Sequence, residues 1–534
     1  MLDVRWASLA AGLIIEAVSG GTYAFGVFSP QIKAELNYTQ QEIQTVGSAG
    51  SIGYYIAIVT GLAIDSIGVF ASMIIGSLLS FIGYFLWYLS ASKEIASNVS
   101  LVSLYSFLAS QGAVWVGTCV IFCGAINFRK NTGTIVGILK SLSGLSASFL
   151  TLFYSNMFRP NVNNFLLFLS IIGSVAPFLC SFLVKLARIE QGSKPMSLFE
   201  QKKITFLYIS LVVLSLYIIS ISLSLSLNAL STNVGYPLGM VAILLLISGA
   251  SLYQPKQKEN TDVETQESKA DCLSKNEQGA SFFEGLFSLD MLLVFLILFT
   301  GVGSGVAIIN NLGTLVQSLG GESNQQDVYV SLVSFSNMIG RLSLGVLSDF
   351  SSPRLRRPWF LLVCVTSMGL CCILLAFANL NLLYLGVIWA GVSYGGFWTL
   401  SPSFLFEIFG PSNFASMYAI SILGPAIASY VLGTTLAATI YTMNSPPGST
   451  ICVGPSCYRD TFLILAGLCF FGSICAIFLS LRCRHIYYED GSLRPYDEFS
   501  KEHGVSKVGT FVQTRFNAFF CPKKVTSQSQ LETI

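Results

Sequence analysis

The sequence predicts an all-α polytopic membrane protein: two six-helix bundles with about two additional helices between them. Three observations predict it. The 534 residues are 53% hydrophobic and 10% charged, with mean hydropathy +0.67. A soluble domain carries about 25% charged residues, so these charges are too few to coat a soluble surface of this size. The apolar residues gather into runs of about 20 or more, the length that crosses roughly 30 Å of hydrocarbon. Finally, Gly61-Leu62-Ala63-Ile64-Asp65 returns as Gly345-Val346-Leu347-Ser348-Asp349, each at the end of an apolar run.

The return is in register. From position 65 to position 349 is an offset of 284, and the same shift carries Gly21 onto Gly305, inside the first apolar run of each half. A hydrophobic chain with two repeating halves reads as duplicated helical bundles. Apolar runs predict fourteen spans: 6–28, 42–63, 70–91, 100–127, 133–157, 163–186, 205–228, 234–253, 290–312, 327–349, 359–378, 383–408, 414–442 and 461–482. Asp349 follows the second span of its half only if span 9 repeats span 1. Spans 7 and 8 are therefore additional. In the serine-rich 205–253 stretch, one span plus an interfacial piece is the other reading. The domains follow: a first bundle at 1–187, two additional helices at 188–253, a polar linker without apolar periodicity at 254–288, a second bundle at 289–482 and a tail at 483–534. The linker and tail read as disordered and cytoplasmic. The first run begins after Arg5 and reads as a retained span rather than a removed leader.

Charge predicts orientation. With a cytoplasmic N-terminus, inside loops carry Arg129 and Lys130, then Lys185, Arg188, Lys194, Lys202 and Lys203, then Arg354, Arg356 and Arg357, and the end of span 14 and the tail add Arg482, Arg484 and Lys501. Outside loops hold only Lys33, Lys93, Arg159 and Arg459. Both termini are then cytoplasmic. The glycosylation acceptors Asn37 (Asn-Tyr-Thr) and Asn98 (Asn-Val-Ser) fall outside, as glycosylation requires. So do Cys452 and Cys457, which predict a local disulfide if their loop faces an oxidising compartment. Most other cysteines sit in spans and read as small apolar filler. The two histidines, His485 and His503, are both in the tail. No metal site, cofactor or phosphate-binding loop of the Gly-x-x-x-x-Gly-Lys-Ser/Thr type is predicted. Net charge +2 gives no reason to invoke nucleic acid.

Charges inside spans are costly and default to function. Glu16 lies in the middle of span 1, Lys140 about two turns into span 5, and Arg341 in span 10. A Glu16–Lys140 pair would serve proton coupling, burial raising the carboxyl pKa and Lys140 opposing that; a purely structural pair is the alternative. Arg341 has the two-pronged geometry for an anion; its alternative is an acid or helix carbonyls. Tyr23, Gln111, Trp115, Asn310, Asn311, Asn337, Tyr394 and Trp398 are polar or aromatic candidates for a cavity. Tyr23, Gln111, Asn311 and Trp398 join Arg341 as substrate-binding candidates. Glu407, near the end of its span, reads as a gate or latch residue.

The Gly-x-x-x-Asp loops resemble the signature of the major facilitator superfamily between the second and third helices of each half. That resemblance makes Gly61 with Asp65, and Gly345 with Asp349, conformational latches. Ser66 stands where a basic residue is usual, whereas Arg354, Arg356 and Arg357 follow the second copy. The small-residue faces Gly144–Ser148 and Gly424–Ser429 resemble the superfamily's fifth helices. Further pieces are Arg5-Trp6; Tyr23-x-Phe25-Gly26-x-Phe28-Ser29-Pro30; Gly137-Ile138-Leu139-Lys140; Gly303-Ser304-Gly305; Asn337-x-x-Gly340-Arg341; Gly395-Gly396-x-Trp398; Glu407-x-Phe409-Gly410; and Cys452-x-Gly454-x-x-Cys457-Tyr458. Together they resemble the nodulin-like branch, with its plant nodulin-like proteins and fungal monocarboxylate-transporter homologues. Glu16 and Asn310 depart from the glutamine and aspartate expected there. The resemblance implies a major facilitator fold, a vacuolar or plasma membrane, and a secondary transporter of a small organic solute such as a monocarboxylate, with protons as a coupling partner. A transport-inactive receptor or scaffold on the same fold is the alternative.

Overall fold

The computed structural model describes residues 3–187, 197–226, 230–253, 285–321, 323–351, 356–446 and 452–483. Among them are fourteen helices long and apolar enough to cross a membrane: span 1 (Val4–Leu36), span 2 (Thr45–Ile67), span 3 (Val69–Ala91), span 4 (Val99–Asn127), span 5 (Arg129–Phe158), span 6 (Val162–Cys180), span 7 (Leu198–Leu225), span 8 (Gly235–Leu252), span 9 (Leu289–Asn310), span 10 (Val328–Ser351), span 11 (Arg357–Ala376), span 12 (Leu380–Pro411), span 13 (Asn413–Met443) and span 14 (Ser456–Arg482). The fold is two six-helix bundles with two extra helices, so 205–253 holds two spans. Most of the expected linker and nearly all of the tail lie outside the described residues.

In hydrocarbon every backbone polar group needs an internal partner, which is why the spans are helices. Their starts are capped from the sequence: Asp3 accepts from the Arg5 amide at 2.9 Å, Asn98 from Leu101, Ser288 from Met291 and Asn379 from Leu382. Thr39 and Glu42 form a capping box before span 2, and those hydrogen bonds hold the Glu42 carboxyl below its usual pKa. Two helices contain breaks. Span 1 is interrupted at Ser19–Gly20 and span 2 at Ile56–Ala57. The reversal between spans 2 and 3 rests on Gly68 at φ +85°, and that between spans 12 and 13 on Gly410 at φ +69°. Both angles favour glycine.

Burial ranks the helices. Spans 4 and 5 are 83% and 78% buried over their apolar cores, against 33% for spans 7 and 8. The former are central and the latter peripheral. The duplication is visible in the packing itself. Gly112 of span 4 lies against Ser80 of span 3, and a Cβ at Gly396 of span 12 would come within 2.7 Å of Cys364 of span 11. Gly112 with Ser80 and Gly396 with Cys364 are the same pair shifted by 284 positions. Small residues here let neighbouring backbones approach closely.

Span 7 buries one stripe, Leu207, Leu211, Leu214, Ile218 and Ile221, at helical spacing. Its other face, with Ile209, Val213 and Leu216, is exposed as a lipid-facing surface would be. The buried stripe packs on spans 5 and 10, and span 8 packs on spans 1 and 5. At one end of the molecule Asn37 and Asn98 are exposed, and the Tyr38 hydroxyl donates to the Ser97 carbonyl, which brings the two acceptor loops together. Cys452 and Cys457 are joined by a disulfide in the loop before span 14.

A side chain at Gly395 would collide with the Asn337 carbonyl of span 10, whereas nothing lies within 4 Å of a Cβ at Gly249. Gly395→Val should therefore lower thermal stability in detergent by about 1–3 kcal/mol or more. Gly249→Ala should stay within about 0.5 kcal/mol of the parent protein.

Candidate functional site

Two sets of side chains meet on the seam between the halves, one in the middle of the bundle and one at an end. Across that seam span 10 packs on span 5, and span 2 on span 13. The same 284-residue shift relates these two crossings.

The end set is built on glycine. Gly345 of span 10 lies against the Gly133 carbonyl of span 5, near enough that a Cβ would sit 2.5 Å from it. One turn on, Asp349 accepts from the Gly133 amide at 3.1 Å and the Thr134 amide at 2.6 Å. These are the free N–H groups of a helix start, where a carboxylate is favoured. Arg357 donates to the same carboxylate at 2.5 Å and its Nε lies 3.0 Å from Glu407. All three charged side chains are buried. The opposite crossing is leaner. Gly61 lies against Ala415 and Ser416 of span 13, and Asp65 accepts from the Ser416 hydroxyl and backbone N–H, with no arginine beside it among the described residues. The latch candidates thus meet the opposite half at both crossings, with unequal partners. Glu407 joins the stronger one.

The middle set holds three buried charges on three helices. Lys140 Nζ lies 3.5 Å from Glu16 Oε1, longer than the 2.7–2.9 Å of a tight charge-assisted bond. Arg341 reaches across the seam and donates to the Lys140 backbone carbonyl, while its Nε donates to Asn337 at 2.9 Å. The guanidinium passes beside Gly144, its atoms 3.5 Å from where a Cβ would stand, an ordinary contact distance. Beside this cluster Glu16, Ser19, Tyr54, Lys140, Trp398 and Tyr418 line a cavity of about 10 Å³, the volume of one water. Two cations and one carboxylate leave a formal excess of one positive charge. Buried charge without a full set of partners is costly.

Aromatic rings adjoin the cluster. Tyr23 packs edge-on to Tyr54 at 5.3 Å, and Tyr55 stacks on Trp398 across the seam at 6.3 Å. The Trp398 indole N–H is buried without a well-formed hydrogen bond, though Tyr394 lies beside it. Gln111 and Asn311 have other work. Gln111 donates to the Gly53 and Ile56 carbonyls freed by the break in span 2 and accepts from Trp115. Asn311 donates to the Ala307 and Gly433 carbonyls, tying the end of span 9 to span 13. Both amides are held in helix joints and do not line the cavity. Among the described residues no cluster of His, Cys, Asp or Glu is placed to hold a metal.

Sequence reasoning missed Tyr54, Tyr55, Tyr418 and Ser416. Periodicity cannot separate a cavity-facing tyrosine from one that packs, but the repeat could have found Ser416. It falls 284 positions after Thr132, in the helix start that the other latch grips.

Known proteins resemble the chain along nearly its whole length. Residues 5–250 match the family model described as Nodulin-like, and residues 281–489 the NFD4 C-terminal domain. Protein NUCLEAR FUSION DEFECTIVE 4 of Arabidopsis thaliana is 24% identical over 536 residues, covering 91% of this chain and 90% of that protein. Probable transporter MCH1 of Wickerhamomyces anomalus is 25% identical over 427 residues, 78% of this chain and 75% of that one. Among solved structures, the proton:xylose symporter XylE bound to 6-bromo-6-deoxy-D-glucose superposes with TM-score 0.57 at 12% identity, covering 93% of this chain and 98% of that one. At that identity the likeness is one of fold.

The latches should differ in strength. Asp349→Ala leaves two amides without their acceptor and takes from Arg357 one of its two carboxylates, a loss of about 2–4 kcal/mol from buried donors left unsatisfied. Asp65→Ala removes the hydroxyl and backbone N–H bonds of one residue, Ser416, and no ion pair, about 1–2 kcal/mol. Thermal unfolding in detergent checks the order.

Proposed function

The chain belongs to the nodulin-like branch of the major facilitator superfamily, and on that premise we propose that it is a secondary transporter of a small organic anion, of the monocarboxylate class, working by alternating access. The observation that carries this is the convergence of Glu16, Lys140 and Arg341 at the seam with one positive charge in excess. A monocarboxylate entering there neutralises the site. Arg341 is the anion-binding residue, Trp398 is an apolar wall with a polar tip, and Tyr23 backs the cavity from behind Tyr54. When Glu16 takes a proton the ion pair with Lys140 is lost, and Lys140 is freed to share the anion. Proton loading and substrate loading are thereby linked.

The latched end carries Arg129, Lys130, Lys202, Lys203, Arg356 and Arg482, a charge bias that supports a cytoplasmic side. On this reading both termini are cytoplasmic. Asn37, Asn98 and the Cys452–Cys457 disulfide then face the other compartment, as glycosylation and oxidation require. The conformation is closed at the cytoplasmic end, with a central cavity of one water's volume. Opening inward breaks Asp349 from Gly133 and Thr134, and Asp65 from Ser416.

One observation favours a second reading. Arg341 already donates to Lys140 and Asn337, and the cavity is too small for a solute. A transport-inactive receptor or scaffold would look the same. Uptake of labelled carboxylates into proteoliposomes under an imposed pH gradient separates the readings: a scaffold takes up none while folding normally.

For the transporter, Arg341→Lys should weaken anion affinity about tenfold or more, because it loses one prong of a charge-assisted pair; unchanged affinity removes Arg341 from the site. Glu16→Gln should abolish the pH dependence of uptake, leaving transport insensitive to the gradient.

A further inference from the structure

Spans 7 and 8 are absent from the duplicated plan, yet span 7 lies along the seam that must part for inward opening. Its start is tied to the first half. Glu200 accepts from Arg5 at 2.8 Å and from the Trp6 indole at 3.2 Å, and Lys203 Nζ sits 4.0 Å over the Trp6 ring. Its far end is tied to the same half through span 8: Tyr217 donates to the Tyr236 carbonyl, and the Asn233 amide donates to Asn156. Between these anchors Tyr208 points into the seam. Its hydroxyl lies 3.2 Å from the Leu342 carbonyl of span 10 and 3.4 Å from the Thr134 carbonyl of span 5. One hydroxyl proton is shared between the two halves at distances longer than a single O–H···O bond.

We propose that spans 7 and 8 are a strap that travels with the first half and holds the seam shut through Tyr208, a positioning residue for alternating access. Three features fix this role. Both anchors are on the first half, so inward opening breaks the bond to Leu342 and keeps the one to Thr134. The buried stripe of span 7 seats it against spans 5 and 10 together. Leu342 follows Arg341 directly, and Thr134 is a residue that Asp349 grips. The strap therefore bears on the backbone of both the anion-binding helix and the latch, whatever the solute.

Amide exchange in the full-length protein in nanodiscs tests this without transport. The Gly133 and Thr134 amides donate to Asp349 and exchange only when the seam parts. In Tyr208→Phe, peptides spanning 129–137 should exchange about fivefold faster, the effect of removing one neutral hydrogen bond. Peptides from spans 11 and 14 should be unchanged. Glu200→Ala, which unties the strap at its start, should accelerate the same peptides. Unchanged exchange at 129–137 in Tyr208→Phe overturns the proposal. So does acceleration spread equally over spans 11 and 14, which would make Tyr208 an ordinary packing residue. Because no uptake is measured, a failed strap and a failed transport assignment give separate results.

Discussion

Asp349 gripping the first turn of span 5 is the contact on which the rest of this conformation depends. It is a buried carboxylate that meets two backbone N–H groups of the other half and an arginine of its own. In a medium without water such a group has nowhere else to go. The glycines at 133 and 345 are what allow it, since any Cβ there would hold the helices too far apart for the carboxylate to reach. With this crossing in place, Arg341, two turns back along the same helix, is brought to the Lys140 carbonyl. The charged centre is thus a geometric result of the end latch.

The membrane explains the division of labour among polar residues. An interrupted helix frees carbonyls, and at two places the chain supplies an amide for them: Gln111 at the break in span 2, Asn311 at the joint of spans 9 and 13. Once an amide is used in this way it has little left for a ligand. Glu16 and Lys140 differ. Their one mutual contact is long, and neither is needed to complete a backbone. Loosely partnered charges in a dry interior can change partners, whereas residues that repair backbone cannot.

The fold was legible because two physical signals are strong in membrane sequences. Unbroken apolar length marked fourteen spans, and the fixed shift between Asp65 and Asp349 paired the halves. Gly112 on Ser80 and Gly396 on Cys364 carry the same shift into packing. The candidate site was legible in part. Charges inside spans stand out against apolar surroundings, so Glu16, Lys140 and Arg341 were visible. Gln111 and Asn311 stand out for the same reason and read as ligand-binding candidates, because sequence does not reveal which distant helix carbonyls an amide completes. Tyr54, Tyr55 and Tyr418 were not visible, since an aromatic ring in a span has the same composition whether it faces lipid, protein or a cavity. Span edges moved by several residues, as with Val4–Leu36 against 6–28, because helices continue past the hydrocarbon into capped ends.

The unequal grips at the two crossings bear on the path of motion. A door fastened by a heavy hinge on one side and a light catch on the other does not lift away from its frame. It swings. Ser416 holds Asp65 by its hydroxyl and its backbone N–H, whereas Asp349 is bound by two amides and an arginine. If the halves part at this end, the smaller resistance lies between spans 2 and 13, and the crossing of spans 5 and 10 would serve as the pivot. A chain whose two halves share one ancestral plan would then have an off-centre axis of rotation, its internal symmetry retained in architecture and lost in mechanics.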